Sequence, residues 1–155
     1  MIARRPNLLS LVAVSTAWLA ASAAVPLAAA GASVRDVSFD DVKLDIKKGE
    51  VFQRKQLTSK VKDLNGKTIR IRGYILPSFQ QSGIKQFVLV RDNMECCFGP
   101  GAALHDCILV EMKEGATTEF SVRPVAVEGT FSINEVLGPD GKHLAIYHLA
   151  GDQVK

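Results

Sequence analysis

From Thr68 onward, apolar and polar residues alternate with the period of a β-strand. Ile69 and Ile71 alternate with Arg70 and Arg72, the pattern breaks at Gly73, and Pro77 ends it. Successive strand side chains point to opposite faces, so this run predicts a half-buried strand over Thr68–Leu76. Gln86–Arg91 is short and nearly all apolar, as a strand covered on both faces would be. Asp106–Met112, Val125–Ile133 and His143–Leu149 supply three more strands. Val125–Ile133 repeats the Val-x-Val-x-Gly-x-Phe rhythm of Ile-x-Ile-x-Gly-x-Ile in the first strand. A glycine inside each of the two fits a bulge or sharp bend where one strand serves two sides of a small barrel.

Ahead of the strands, Val51, Phe52, Leu57, Val61 and Leu64 recur at helical spacings, with Thr58 and Ser59 between them. Glu50–Leu64 therefore predicts one short amphipathic helix or two helical turns. Asn65-Gly66, Glu114-Gly115 and Gly138-Pro139-Asp140-Gly141 are turn signals. Val37–Ile46 mixes apolar and acidic residues and reads as an edge strand or a docking arm. Together these elements predict a mainly β fold, a small five-stranded OB-like barrel with one short helical segment.

The first thirty residues follow a different rule. Arg4 and Arg5 precede a run from Leu8 to Ala30 that carries no charge and ends in small residues. This is the pattern of a secretory signal peptide, with Ala28-Ala29-Ala30 as the cleavage site and Ala21-Ser22-Ala23 as the second choice; Pro26 and the small-residue tail favour it over the alternative, an uncleaved membrane anchor. The expected organisation is residues 1–30 as signal peptide, 31–49 as an N-terminal arm and 50–155 as the barrel domain, in the periplasm or outside the cell. With the signal removed, no stable membrane span is expected. Losing Arg4 and Arg5 from the 19 Lys+Arg leaves 17 against 16 Asp+Glu. That near-neutral balance gives no electrostatic case for nucleic-acid binding.

Unusual chemistry gathers in Met94–Val110. It holds all three cysteines (Cys96, Cys97, Cys107), His105 and the Gly99-Pro100-Gly101 turn. An exported chain admits disulfides, and three thiols cannot all pair within it. A bridge from Cys96 or Cys97 to Cys107 closes a short loop and would stabilise by about 2.5–3 kcal/mol. A thiophilic metal, zinc or copper, is the second option, with Cys96, Cys97, His105 and Cys107 as ligands. Glu95 or Asp106 would complete the shell or orient His105. Buried, inert thiols are the third. Strand alternation sends Cys96 and Cys97 to opposite faces, whereas His105 and Cys107 share a face if the chain is extended from Leu104. Phe98 is expected to cap the barrel end.

His143 and His148, five apart, fall on opposite strand faces and are not expected to chelate together. Arg70 and Arg72, with Lys67 near, read as a solvated outer face or a small anion patch. No Cys-x-x-Cys, Gly-x-Ser-x-Gly or phosphate-cradling glycine loop occurs, so catalysis is not expected.

Leu64-Asn65-Gly66-Lys67, Ile71-Arg72-Gly73-Tyr74-Ile75-Leu76-Pro77, Cys96-Cys97-Phe98-Gly99 and Val127-Glu128-Gly129-Thr130 are motifs in which the chain resembles a bacterial exported family catalogued as domain of unknown function 3299. The resemblance implies a secreted or periplasmic small β-domain. It further implies an association with membrane transport systems in metal handling, so that an envelope protein or membrane transporter is the expected partner. It marks Cys96 and Cys97 as a family feature and transfers no catalytic residue. Two rival classes stand beside a metal-binding accessory protein: an interaction module with structural thiols, and a thiol redox enzyme.

Overall fold

A computed structural model describes residues 33–46, 50–92 and 103–155. Its strands are β1 (Arg35–Val37), β2 (Thr68–Ile75), β3 (Gln86–Val90), β4 (Cys107–Met112), β5 (Val125–Leu137) and β6 (His143–Val154). The order β1-β2-β3-β4-β6-β5, with a further pairing of β5 to β2, closes the strands into a ring. The mainly β expectation holds, and the ring is compatible with the small barrel. Among the described residues there are six strands where five main ones were expected, and the extra one comes from the N-terminal arm.

β2 explains why the ring closes. Its first part, Thr68–Gly73, pairs antiparallel with β5, and from Tyr74 it pairs with β3. Gly73 stands at the change of partner, where an added Cβ would come within 2.6 Å of the Val90 carbonyl oxygen. The bend therefore comes from a switch of neighbours, not from a bulge in β2. The register shifts lie in the β5–β6 ladder, one of them beside Gly129, where Glu128 and Gly129 face Gln153 and Gly151 and β6 carries the extra residue. There an added Cβ would collide with the Ala150 carbonyl. Both mid-strand glycines thus admit a neighbouring backbone where a side chain would not fit.

The arm joins the core. β1 lies parallel to β2, with Arg35, Asp36 and Val37 opposite Ile69, Arg70 and Ile71. The following segment buries Phe39, Val42 and Leu44. Tyr147, fully buried on β6, donates its hydroxyl to the Val42 carbonyl at 2.7 Å, and burial pushes that phenol well above its usual pKa. The expected strand or arm over Val37–Ile46 is thus a short strand ending at Val37 and an irregular segment docked on the same core.

The helical segment resolves into two turns, a 3-10 turn at Arg54–Gln56 and the helix α1 at Ser59–Leu64. Thr58 caps α1 by accepting from the Val61 amide. Val61 and Leu64 are buried. Gly66, Gly115 and Gly141 all adopt positive φ in the expected turns. β5 and β6 run to Leu137 and Val154, beyond the Ile133 and Leu149 at which alternation in the sequence stops.

Candidate functional site

Strands β3 and β4 hold the cysteine loop by its base. Val90 pairs with Cys107 in the ladder, and the Arg91 amide donates to the Asp106 carbonyl at 3.0 Å. Cys96, Cys97, Phe98 and Glu95 lie outside the described residues, and so do the expectations placed on them. The chain is described again at Ala103 and makes a 3-10 turn at Leu104–Asp106 before β4 begins. This corrects the premise that His105 and Cys107 share a strand face, because the chain is helical from Leu104 to Asp106. His105 is buried, whereas Cys107 lies on the half-buried side of β4, opposite Ile108, Val110 and Met112. Among the described residues, no three His, Cys, Asp or Glu side chains gather into a metal-sized group.

His105 is nevertheless unusual. Its side chain is 7% exposed, and Nδ1 is buried without a hydrogen-bond partner among the described residues. Its Nε2 lies 3.9 Å from Asp106 Oδ2, too far for a direct hydrogen bond. Burial pushes the imidazole pKa below its usual value against the opposing pull of Asp106, and the positive charges of Lys43 and Arg91 push the same way as burial. The ring is therefore neutral near pH 7, with one lone pair. Asp106 is held on the other side by Arg91, which also pairs with Asp40 at 3.0 Å. Asp106 Oδ1 is itself buried without a hydrogen bond. An orphaned buried polar atom costs roughly 1–3 kcal/mol. His105 Nδ1 is such an atom, and Asp106 Oδ1 beside it has the ion pair to Arg91 but no hydrogen bond.

Two other polar clusters are fully partnered. Glu128, 7% exposed, accepts from Arg70 Nε at 2.7 Å, from Lys155 Nζ at 3.1 Å and from Gln153. These donors, Arg70 first, bring its pKa down to about 2. Arg70 also reaches Asp36 at 3.2 Å, so it serves an internal network and not an anion patch. The second cluster borders the loop. Leu104, Phe52, Val51, Glu50 and the turn Asp140–His143 line a cleft of about 440 Å³. His143 Nε2 lies 2.9 Å from Glu135, whose other oxygen meets Arg54 at 2.6 Å, and Phe52 packs edge-on against the imidazole. The His143 contact, then Arg54, hold the Glu135 pKa below the usual range. His148 is occupied separately, 3.4 Å from Glu111, so the two histidines do not act together. The pairing of Glu135 with His143 was not legible by counting along the chain, because register shifts on both sides of Val136 intervene.

These observations define a small β-ring protein whose one loop rich in metal-type ligands is closed at its base by backbone pairing. The chain belongs to the family described as Protein of unknown function (DUF3299), whose model matches residues 22–155. Its fold is similar to that in the crystal structure of a DUF3299 family protein from Pseudomonas aeruginosa PAO1, at 16% identity and a TM-score of 0.57. That match covers 79% of this chain and 95% of the other. No curated protein matches the chain. Among the described residues, no helix is long and apolar enough to cross a membrane.

Proposed function

We propose that this chain is an exported, non-catalytic accessory protein whose cysteine loop holds a thiophilic metal, zinc or copper, through Cys96, Cys97, Cys107 and His105. The observation that supports it is the buried, unpartnered Nδ1 of a neutral His105, at the base of a loop that also carries every cysteine of the chain. A neutral imidazole nitrogen and thiolates are the donor set that zinc and copper(I) prefer. Coordination through Nδ1 would satisfy an atom that otherwise stays unpaired, and Asp106, 3.9 Å from Nε2, would have to move closer to serve as the outer partner that orients it. The partner is an envelope protein or a membrane transporter, to which the loaded loop would be presented.

Metal analysis of protein exported from its host and purified without chelators tests the reading. About one equivalent of zinc or copper is expected, because a thiolate–imidazole site of this kind binds tightly at neutral pH. Less than about a tenth of an equivalent in normally folded protein would sink it, since such a site does not empty during purification. A thiol count showing a bridge between Cys107 and Cys96 or Cys97 would make the cysteines a staple, and the interaction-module reading would take its place.

A further inference from the structure

The N-terminal arm and the Asn65-Gly66 turn share a cleft of about 510 Å³, lined by Ser33, Arg35, Gly66, Lys67 and Thr68. Along the sequence, Lys67 groups with Arg70 and Arg72. The fold instead commits Arg70 to Glu128 and Asp36 and brings Arg35 to the cleft that Lys67 lines. The cause is the parallel seat of β1, which sets Arg35 opposite Ile69, just beyond Lys67 and Thr68. The turn is held as firmly as the arm. Gly66 donates its amide to the Phe131 carbonyl at 2.8 Å, and the Phe131 amide donates to the Lys67 carbonyl at 2.9 Å. Asn65 Oδ1 accepts from the Ile133 amide at 2.9 Å. Gly66 has a φ of 78°, and an added Cβ would meet nothing within 4 Å, so this side of the cleft is open.

The side chains of the lining are two cations and two hydroxyls, and no Asp or Glu is among them. None of the four makes a side-chain hydrogen bond or ion pair among the described residues. Hydroxyls elsewhere are committed locally: Ser38 to Asp41, Ser78 to Gln80, Ser121 to Arg123 and Thr58 to Val61. The acids nearest to the arm are also engaged. Asp36 pairs with Arg70 at 3.2 Å, and Asp41 accepts from the Ser38 amide and hydroxyl at 2.9 and 2.8 Å. Ser38 is the first cause that holds the Asp41 carboxyl below its usual range, and Lys60 and Arg35 add a weaker pull. Arg35 and Lys67 thus face the cleft with no carboxylate in its lining.

We propose that this cleft is an oxyanion site that takes a phosphate group, with Arg35 and Lys67 on its charge and the Ser33 and Thr68 hydroxyls donating to its oxygens. Cations gathered in a concave site without a counter-charge raise the local concentration of anions. A guanidinium presents paired N–H groups that match two oxygens of one phosphate. A tetrahedral oxyanion also has oxygens enough for four separate donors, where a carboxylate has two. The volume falls within the roughly 300–1,000 Å³ of small-molecule clefts, so an organic body fits beside the phosphate. Both cations are exposed, and solvent screening keeps the affinity for the bare ion in the millimolar range. The site shares no residue with the cysteine loop and is independent of the metal reading.

Proton–nitrogen correlation spectra of the full chain test the site during addition of inorganic phosphate, with chloride balancing the ionic strength. Saturable shifts are expected at the amides of Gly66, Lys67 and Thr68. Arg35→Gln and Lys67→Gln should each weaken binding roughly tenfold, as the loss of one charge-assisted hydrogen bond does. Arg72→Gln, on β2 but outside the cleft lining, should leave it unchanged. All three side chains are exposed, so circular dichroism of each variant should match the parent. The absence of a saturable shift by about 20 mM phosphate, where a millimolar site is filled, overturns the proposal. So do equal shifts from chloride alone, or an equal loss with Arg72→Gln, because either reduces the effect to general attraction for anions. Glycerol phosphate and vesicles of phosphatidic acid then separate the sources of the phosphate group. Tighter binding of the first at these amides supports the site with a soluble ester as ligand, and tighter binding of the second supports it with a lipid headgroup.

Discussion

Glu128 and His105 are both nearly buried polar side chains, and their surroundings differ completely. Glu128 receives Arg70, Lys155 and Gln153 on its two oxygens. His105 keeps one ring nitrogen without a hydrogen-bond partner, next to an Asp106 oxygen that has only the ion pair to Arg91 at 3.7 Å. Buried polar groups in folded proteins are almost always paired; the first arrangement follows that rule, and the second departs from it, which is what the proposed metal site would account for. The carboxylate network belongs to the architecture, tying β2, β5 and the end of β6 where the strand ring closes. The imidazole is, on the proposed reading, a ligand awaiting its metal.

This contrast is open to measurement. The largest effect should come from Cys107→Ser, which should lower metal affinity by more than the ~10–100-fold that losing an outer partner of a metal site costs. Competition with a chromogenic chelator reads it, and an unchanged affinity would remove Cys107 from the site. Next, His105→Leu should weaken metal binding, yet stabilise the metal-free protein by about 1–3 kcal/mol, because an unpaired buried polar atom is exchanged for apolar volume. If denaturant melts show the variant less stable without metal, His105 has a partner and the contrast collapses.

The two groups also leave different acid signatures. His105 has a folded pKa below its unfolded value near 6.5, so its contribution to stability is lost as pH falls through 6.5, where the unfolded state takes up the proton first. Glu128 is depressed from 4.5 to about 2. Its contribution is present above about pH 4.5 and lost as pH falls from there towards 2. Glu128→Gln should flatten only the lower limb of a stability–pH profile, and His105→Leu only the upper one. The smallest effect is expected from Lys155→Met, within about 1 kcal/mol, since that ammonium is largely solvated. Arg70→Met should cost more, because Arg70 supplies the foremost hydrogen bond to the carboxylate.

Much of the fold was readable in local patterns. Strand periods located β2 to β6, and the turn glycines 66, 115 and 141 marked their positive-φ positions. Two strands were read short, because bulges on both strands of the β5–β6 ladder interrupt the alternation that counting relies on. The site was readable as composition and not as geometry. A loop with three cysteines and a histidine announces soft-ligand chemistry, but Leu104–Asp106 gave no sign that it would coil into a 3-10 turn. That turn sets His105 inside and leaves Cys107 on the outer side of β4.

What the sequence determined by itself is what depends on neighbours a few residues apart: periodicity, turns and the gathering of reactive side chains in one segment. Tertiary structure alone decided the parallel seat of β1 on β2, the change of partner at Gly73, the donors around Glu128 and the orphaned nitrogen of His105. Each depends on groups brought together from distant parts of the chain. Asp36 reaches Arg70, and Tyr147 reaches the Val42 carbonyl. Whether a buried polar atom is satisfied is a property of the assembled fold, because its partners come from wherever the packing places them.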